Sequence, residues 1–414
     1  MVYARPVDAS TLDPAFLQDD SSARVTVNIF EGLVQFKPGT TDVQPCLAES
    51  WRVSADGREW IFHLRKNVFF HDGTPFNAEA VRFSIERQLT RRDSGKMPYA
   101  SFTFGPIEEI LTPDPYTVKF VLKYPYAPFL RNLAMAASAP IVSPSAVQSS
   151  GEDFKPVGTG PYVFESWHNG KLVLKANKSY WGDAPRHDRL IFRVIRQSRF
   201  RALALKLGMV DIIEGIEPAD ARYLEQNGVP VLRRPGMDIN YMGFYTDKKP
   251  FDNPSVRKAL NMAIDKEHIV SILYKANAFP AKGPLPPGVP GYNENLRSFP
   301  YDPEGARKIL KSAGFSDGLT ITLITYENPR PYNPAGGVKL AETVREDLAK
   351  VGVNAHIKSY TWEKYKEALL NREGDAFFYG WTGDNGDPDN FLFTLFASSQ
   401  IEGGLNAFHY RNKE

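Results

Sequence analysis

Between residues 318 and 390 the apolar positions switch repeatedly between two periods. "LTITLITYE" alternates and predicts a strand, then "GVKLAETVREDLAKVG" takes helical spacing and closes at Gly352. "VNAHIKSY" alternates again, "WEKYKEALLNREG" is helical, and "AFFYGW" is a short apolar strand. Strands alternating with helices predict an α/β domain whose sheet is at least partly parallel. Such sheets bind ligands beyond the carboxyl ends of their strands.

Helix starts are marked by Asp or Asn before Pro in "LDPAF", "DNPSVRKALNMAIDKEHIV" and "YDPEGARKILKSAGF". This is an N-cap followed by proline at the first helical position. In the third, Gly314 supplies the stop. "VYARPVDASTLDP" reads as a strand and turn, and no short-period repeat or low-complexity linker interrupts the chain.

The pattern also places two polar segments at one sheet edge. "ENPRPYNP", with Arg330, follows the first strand of the 318–390 run, and "GWTGDNGDPDN" follows the last. Asp387 before Pro388 repeats the cap-and-proline pattern ahead of the apolar helix "NFLFTLF", and Asp389 is a first-turn carboxylate favoured by the helix dipole. Asp384 is left without a structural duty. It is either a turn residue, since Asp-Asn-Gly is good turn chemistry, or a binding group.

Composition narrows the classes. A chain of 414 residues exceeds one ordinary core and predicts roughly two to three domains. Fifty Lys and Arg against 48 Asp and Glu leave a net charge of +2, which argues against an electrostatic nucleic-acid or membrane-surface binder. Aromatics at 13% mean either large cores or a cleft lined by rings. Cys46 has no disulfide partner and reads as a buried, inert thiol at a turn entering a strand; the redox compartment stays open. "NLAMAASAPIV" is too short to span a membrane. No leader precedes the first strand, as in a trimmed mature form with an added Met or a cytoplasmic protein.

Several chemistries fail on their motifs. The Asp-rich stretch lacks the spacing and terminal Glu of an EF-hand. His63, His71, His168, His187, His268, His356 and His409 show no metal-binding pairing, and His63 and His71 read as ordinary strand-end residues. There is no nucleophile elbow, Walker loop, dinucleotide fingerprint or H-E-x-x-H. "PVGTGPY" lacks the lysine of a phosphate loop and reads as a tight turn at a domain crossing. Carboxylate pairs for glycoside hydrolysis leave no local signature, and nothing in the chain favours one.

One resemblance runs almost end to end. It is carried by "IFEGLVQFKPGTTDVQPCLAESWRVSADGREWIFHLRKNVFFHDGTPFNAEAVRFSIER", "KPVGTGPYVFESW", "YWGDAPRHDRLIF", "KKPFDNPSVRKALNMAIDKEHI", "YDPEGARKIL", and "RPYNP" with "GWTGDNGDPDNF". In these the chain resembles the extracytoplasmic solute-binding proteins of peptide-type ABC transporters, the bacterial solute-binding protein family 5, in its dipeptide-binding branch. The resemblance implies an α/β periplasmic-binding-protein (flytrap) fold with mixed parallel and antiparallel sheets, two lobes closing on a ligand, and an extra domain. It suggests a discontinuous first lobe from 1–35 and 157–238, the extra domain at 36–156, and a second lobe from 239 to 414. "RRPGMDINYMGFYTD" would cross between lobes.

In dipeptide binders of this family, the Asp after G-W-T-G takes the peptide ammonium and the Arg of R-P-Y-N-P takes its carboxylate. Those positions are Asp384 and Arg330 here, the two that the sheet-edge pattern also singles out. A zwitterion removed from water needs a partner at each end, and Arg matches a carboxylate with two prongs. The helix after "RPYNP" would add positive potential from its N-terminus. Tyr332 and Trp381 either wall the side-chain pockets or pack the sheet edge, and Met237 of the crossing segment joins the ligand-lining candidates.

The resemblance implies a non-enzymatic, periplasmic or cell-surface receptor. It would be monomeric and free of cofactor, metal and nucleic acid, delivering di- or oligopeptides to a membrane ABC permease. Relatives that bind haem, glutathione, oligosaccharide or metal chelates supply the alternative ligand; a carboxylate-dependent hydrolase is the alternative class. Family members commonly continue past "AFHYRNKE", so the second lobe is expected to be incomplete. Cys46 stands where relatives often have a small residue.

Overall fold

The switching periods of the 318–390 run become a layered α/β unit. Leu319–Tyr326, Val353–Tyr360 and Ala376–Thr382 are strands, with helices Gly337–Ala349 and Trp362–Leu370 between them. The first strand pairs in parallel with both others, Leu319 opposite Val353 and Ile324 opposite Phe377. Asp238–Phe244 joins antiparallel on the far side of Ala376–Thr382, setting Ile239 opposite Trp381. The sheet order is therefore 238–244, 376–382, 319–326, 353–360.

The inner strand is buried on both faces, which is why Leu323, Ile324, Thr325 and Tyr326 are all sequestered although its sequence alternates. Leu340, Ala341, Val344 and Leu348 of one helix and Tyr365 and Ala368 of the other belong to the same core as Ile321, Leu323 and Phe377. Burying one ring such as Phe377 contributes roughly 1.5–3 kcal/mol.

The cap-and-proline signals hold at three starts and mislead about one helix. Asp13 accepts from the Ala15 N–H, Asn253 from Ser255 and Asp302 from Gly305, each ahead of a Pro-initiated turn or helix. Gly314 follows the helix Pro303–Ser312 with φ +94°. "DNPSVRKALNMAIDKEHIV", however, is two helices, Pro254–Ala263 and Lys266–Leu273. Asp265 breaks it: its carboxylate caps the second helix through the His268 N–H, while its own N–H donates to Asp347 Oδ2 at 2.9 Å.

The computed structural model describes residues 1–90, 97, 99–149, 154–275, 277–402 and 404–412. The chain forms two compact units, Met1–Arg233 and Arg234–Glu414, and their boundary falls inside "RRPGMDINYMGFYTD". The first unit holds a five-stranded sheet in the order 212–213, 2–5, 189–194, 171–176, 162–168, whose Val2–Arg5 strand is parallel to both neighbours. It also holds a separate antiparallel sheet of 48–53, 59–64, 117–122 and 107–114, and a two-stranded ribbon of 34–36 with 43–45. Among the described residues no helix is long and apolar enough to cross a membrane.

Residues 157–161 are shaped by crowding. A Cβ at Gly158 would lie 2.1 Å from the Ile29 carbonyl oxygen, so only glycine fits. His71 is not a bare strand-end residue: its Nδ1 accepts from the Gly158 N–H at 3.4 Å and its Nε2 lies 2.9 Å from the Gly160 carbonyl. Glu31, largely buried, gathers Tyr180 Oη at 2.7 Å, Thr159 Oγ1 at 2.8 Å, Trp181 Nε1 at 2.9 Å and the Cys46 thiol at 3.9 Å. Burial pushes the Glu31 carboxyl up, and the donated hydrogen bonds oppose it. Cys46 is buried between strands 43–45 and 48–53, and burial, reinforced by Glu31, drives its thiol far above the ordinary range. It is inert, as its surroundings in the sequence suggest.

Candidate ligand-binding site

Because strands 319–326, 353–360 and 376–382 are mutually parallel within one sheet, the loops after them leave from the same edge. The first loop is clamped shut. Arg330 N–H donates to the Asn333 carbonyl at 3.0 Å, and Asn333 N–H donates back to Arg330 at 2.9 Å. Buried Asn333 also donates from Nδ2 to Tyr326 Oη at 3.0 Å, tying the loop to the last residue of its strand. The following helix begins at Gly337 with no side-chain cap, leaving its first N–H groups toward this edge.

The Arg330 side chain reaches Trp362, the first residue of the helix after strand 353–360. Its guanidinium carbon sits 3.7 Å from the indole centroid. Trp362 in turn lies nearly parallel to Tyr379, at 5.8 Å and 7°. Arg330 Nε is buried without a hydrogen-bond partner, and no ion pair among the described residues involves Arg330.

The loop after strand 376–382 is organised by Asn390, which is 1% exposed. Its Oδ1 accepts from Trp381 Nε1 at 3.0 Å and from the Asp384 N–H at 3.1 Å, and its Nδ2 donates to Asp384 Oδ2 at 3.4 Å. Asp384, half-buried, therefore does have a structural tie, contrary to the expectation that it had none. Asp387 Oδ1 accepts from the Asp389 N–H at 3.0 Å, as a cap should. The helix proper runs from Asp389 to Phe396, one residue later than the motif suggests, with Pro388 already in helical dihedrals. Burial, and then the neighbouring Asp387, pushes the Asp389 carboxyl up.

The five candidate residues fall into two groups of contacts. Trp381 and Met237 pack with Ile239, Val289 and Phe391, and the Gly383 N–H donates to the Met237 carbonyl at 2.9 Å. Tyr332 belongs instead to the main core, 9% exposed, with its ring against Gly380 and edge-on to Tyr326. A Cβ at position 380 would lie 2.3 Å from that ring, which explains the first glycine of G-W-T-G. Tyr332 thus packs the sheet edge. Its hydroxyl, like that of Tyr241, makes no well-formed hydrogen bond among the described residues, though Arg330 lies near it. Burial pushes the Tyr332 phenol up, helped by Tyr326 and Tyr379 and opposed by Arg330.

Trp362 and Asn390 were not singled out in the sequence. Trp362 opens a helix directly after a parallel strand, so the edge rule that picks Arg330 applies equally to it. Asn390 carries no signal beyond its first-turn position. Among the described residues, no group of three or more His, Cys, Asp or Glu side chains is placed to hold a metal ion.

Mixed sheets in this arrangement define the periplasmic-binding-protein fold. The solved structure of HbpA2 from Haemophilus parasuis superposes with a TM-score of 0.93 at 31% identity, covering 100% of this chain and 86% of that one. The chain belongs to the bacterial extracellular solute-binding proteins, family 5, whose middle-region model matches residues 42–403. The dipeptide-binding protein of Escherichia coli (strain K12) is 37% identical over 408 residues, which is 92% of this chain and 75% of that protein. DppA from Helicobacter pylori, an ABC-transporter-associated periplasmic binding protein solved with the peptide STSA, aligns at 34% identity with a TM-score of 0.76. That alignment covers 100% of this chain and 84% of that one.

Proposed function

We propose that the chain is an extracytoplasmic receptor that binds di- and short oligopeptides by their terminal charges and hands them to a membrane ABC permease. Arg330 takes the α-carboxylate and Asp384 the α-ammonium, with Trp381 and Met237 lending apolar wall. One observation carries this reading: Arg330 is a partly buried cation on a ring face with no carboxylate of its own among the described residues. A cation in that condition gains most from an external anion, because each charge-assisted hydrogen bond contributes about 1.5–3 kcal/mol net. The names of the peptide-binding relatives support the same ligand class.

The receptor acts as a monomer without turnover or cofactor. The separate sheets of the first unit support reading it as a discontinuous lobe of 1–35 and 157–238 with an inserted domain at 36–156.

Native and denaturing mass spectra of the purified protein test the ligand class. Released masses matching dipeptides or short peptides are expected. A single non-peptide mass, such as a haem, keeps the family and overturns the ligand. Calorimetry with alanyl-alanine, its N-acetyl form and its C-terminal amide then tests the charges: both blocked forms bind more weakly, and equal affinity for all three sinks the role of both residues.

A further inference from the structure

Arg330 poses a physical problem. An arginine side chain carries about 2 kcal/mol of rotamer entropy, so a recognition arginine must be held still to be effective. Its backbone is fixed by the paired bonds to Asn333, yet its Nε has no hydrogen-bond partner and no carboxylate grips its head among the described residues. The head lies on the Trp362 ring, with the Tyr332 phenol also close enough to interact with it. The other cation–ring contacts among the described residues lie at 4.8 Å or more, whereas this one is at 3.7 Å, over the indole face.

Trp362 is itself fixed on several sides. It stacks on Tyr379, meets Tyr326 edge-on at 5.8 Å and 83°, and leans on Tyr365 at 6.0 Å. The hydroxyl of Tyr365 is anchored in turn on the Phe378 carbonyl. The ring is thus locked by side chains from strands 319–326 and 376–382 and from its own helix.

We propose that Trp362 is a positioning residue for carboxylate recognition: a neutral seat that aims the Arg330 guanidinium without using its N–H donors. An acidic side chain in the same place would also hold the arginine, but it would compete with the ligand for those donors. A π face attracts the cation through its quadrupole and leaves the in-plane hydrogen bonds unspent. The sequence meets this need by starting a helix with Trp at the end of the strand that neighbours the Arg330 strand. The inference rests on reading Arg330 as the carboxylate partner, and its tests separate the two.

The first test needs no peptide. In ligand-free protein the Arg330 Nε–H resonance, assigned by its loss in Arg330→Met, is expected upfield from the indole ring current and to move back in Trp362→Leu. An unshifted resonance in the wild type overturns the seat whatever the ligand proves to be. The second test is a mutant cycle with alanyl-alanine, read by calorimetry. Trp362→Leu is expected to weaken binding about tenfold or more, while Trp362→Phe, which keeps a ring face, stays within about threefold. In an Arg330→Met background the Leu substitution is expected to change affinity less than about twofold. An undiminished loss in that background shows a merely structural role and overturns the proposal. Should Trp362→Leu fail to fold, Trp362→Met, which fills similar volume without a ring, takes its place in both tests. Failure of the wild type to bind alanyl-alanine would count against the peptide reading alone, since the resonance still reports on the seat.

Discussion

The loops after strands 319–326 and 376–382 leave the same sheet edge, each carrying one candidate charge, yet they are held by opposite means. Arg330 is pinned by ring faces, Trp362 against its guanidinium and Tyr379 behind that, with Nε unpartnered. Asp384 is pinned by polar bonds, with Asn390 accepting from its N–H and from Trp381 and donating to its carboxylate. The difference follows from what each group must keep. A guanidinium offers five in-plane donors and a π face, so it can be held from above with its donors intact. A carboxylate has no such face. It is positioned here through its backbone N–H and through a long 3.4 Å bond from Asn390 Nδ2 to one carboxylate oxygen.

Removing the charges themselves should have the largest effect. Arg330→Ala and Asp384→Ala are each expected to weaken alanyl-alanine binding by about 2–5 kcal/mol with little change in melting temperature, because one partner of a desolvated charge pair is lost. Unchanged calorimetric affinity in both would sink the assignment.

A subtler change sharpens the contrast at the cation. Arg330→Lys keeps the charge but loses the planar fork and the close contact with the Trp362 ring, so a loss of about 1.4–2.8 kcal/mol, ten- to a hundredfold, is expected. Full affinity in the lysine variant would mean that charge alone matters and that ring seating is incidental.

At the anionic end, Asn390→Leu leaves the Trp381 and Asp384 N–H groups without their acceptor. It should cost about 1–3 kcal/mol of stability by denaturant titration and lower peptide affinity as well. A stability loss with unaltered binding would show that Asp384 does not depend on Asn390 for its aim.

The smallest effect serves as a reference. Asp302→Ala removes the cap of helix 303–312, should reduce stability by about 0.5–2 kcal/mol, and should leave the dissociation constant where it was. A shift in binding there would mean that the two loops respond to general loosening rather than to their own contacts.

What the sequence disclosed follows from the range over which each signal acts. Strand and helix periods in 318–382 are local, and so are the cap-proline pairs at Asp13, Asn253 and Asp302; these are legible because each residue's neighbours decide it. The break at Asp265 was not legible, since its cause includes a bond to Asp347 in a distant helix. Arg330 and Asp384 could be picked out because strand ends and charge coincide there. Trp362 shares that strand-end position but carries no charge to mark it, and the contacts of Asn390 exist only in the fold. His71 looks like an ordinary strand-end residue in the sequence because its partners at 158 and 160 meet it only in the fold.

Glu31 has a consequence of another kind, in time. Its donors come from Cys46, Thr159, Tyr180 and Trp181, so three of the four are synthesised more than a hundred residues later. At about 5–20 residues per second the carboxylate waits on the order of 6–30 s on the ribosome before Thr159 and the two aromatics have been made. Until then it is a hydrated charge directly after the "VNIF" segment, where a flanking charge disfavours aggregation. Once they arrive, the same carboxyl group ties residue 31 to residues 159, 180 and 181 within the first unit.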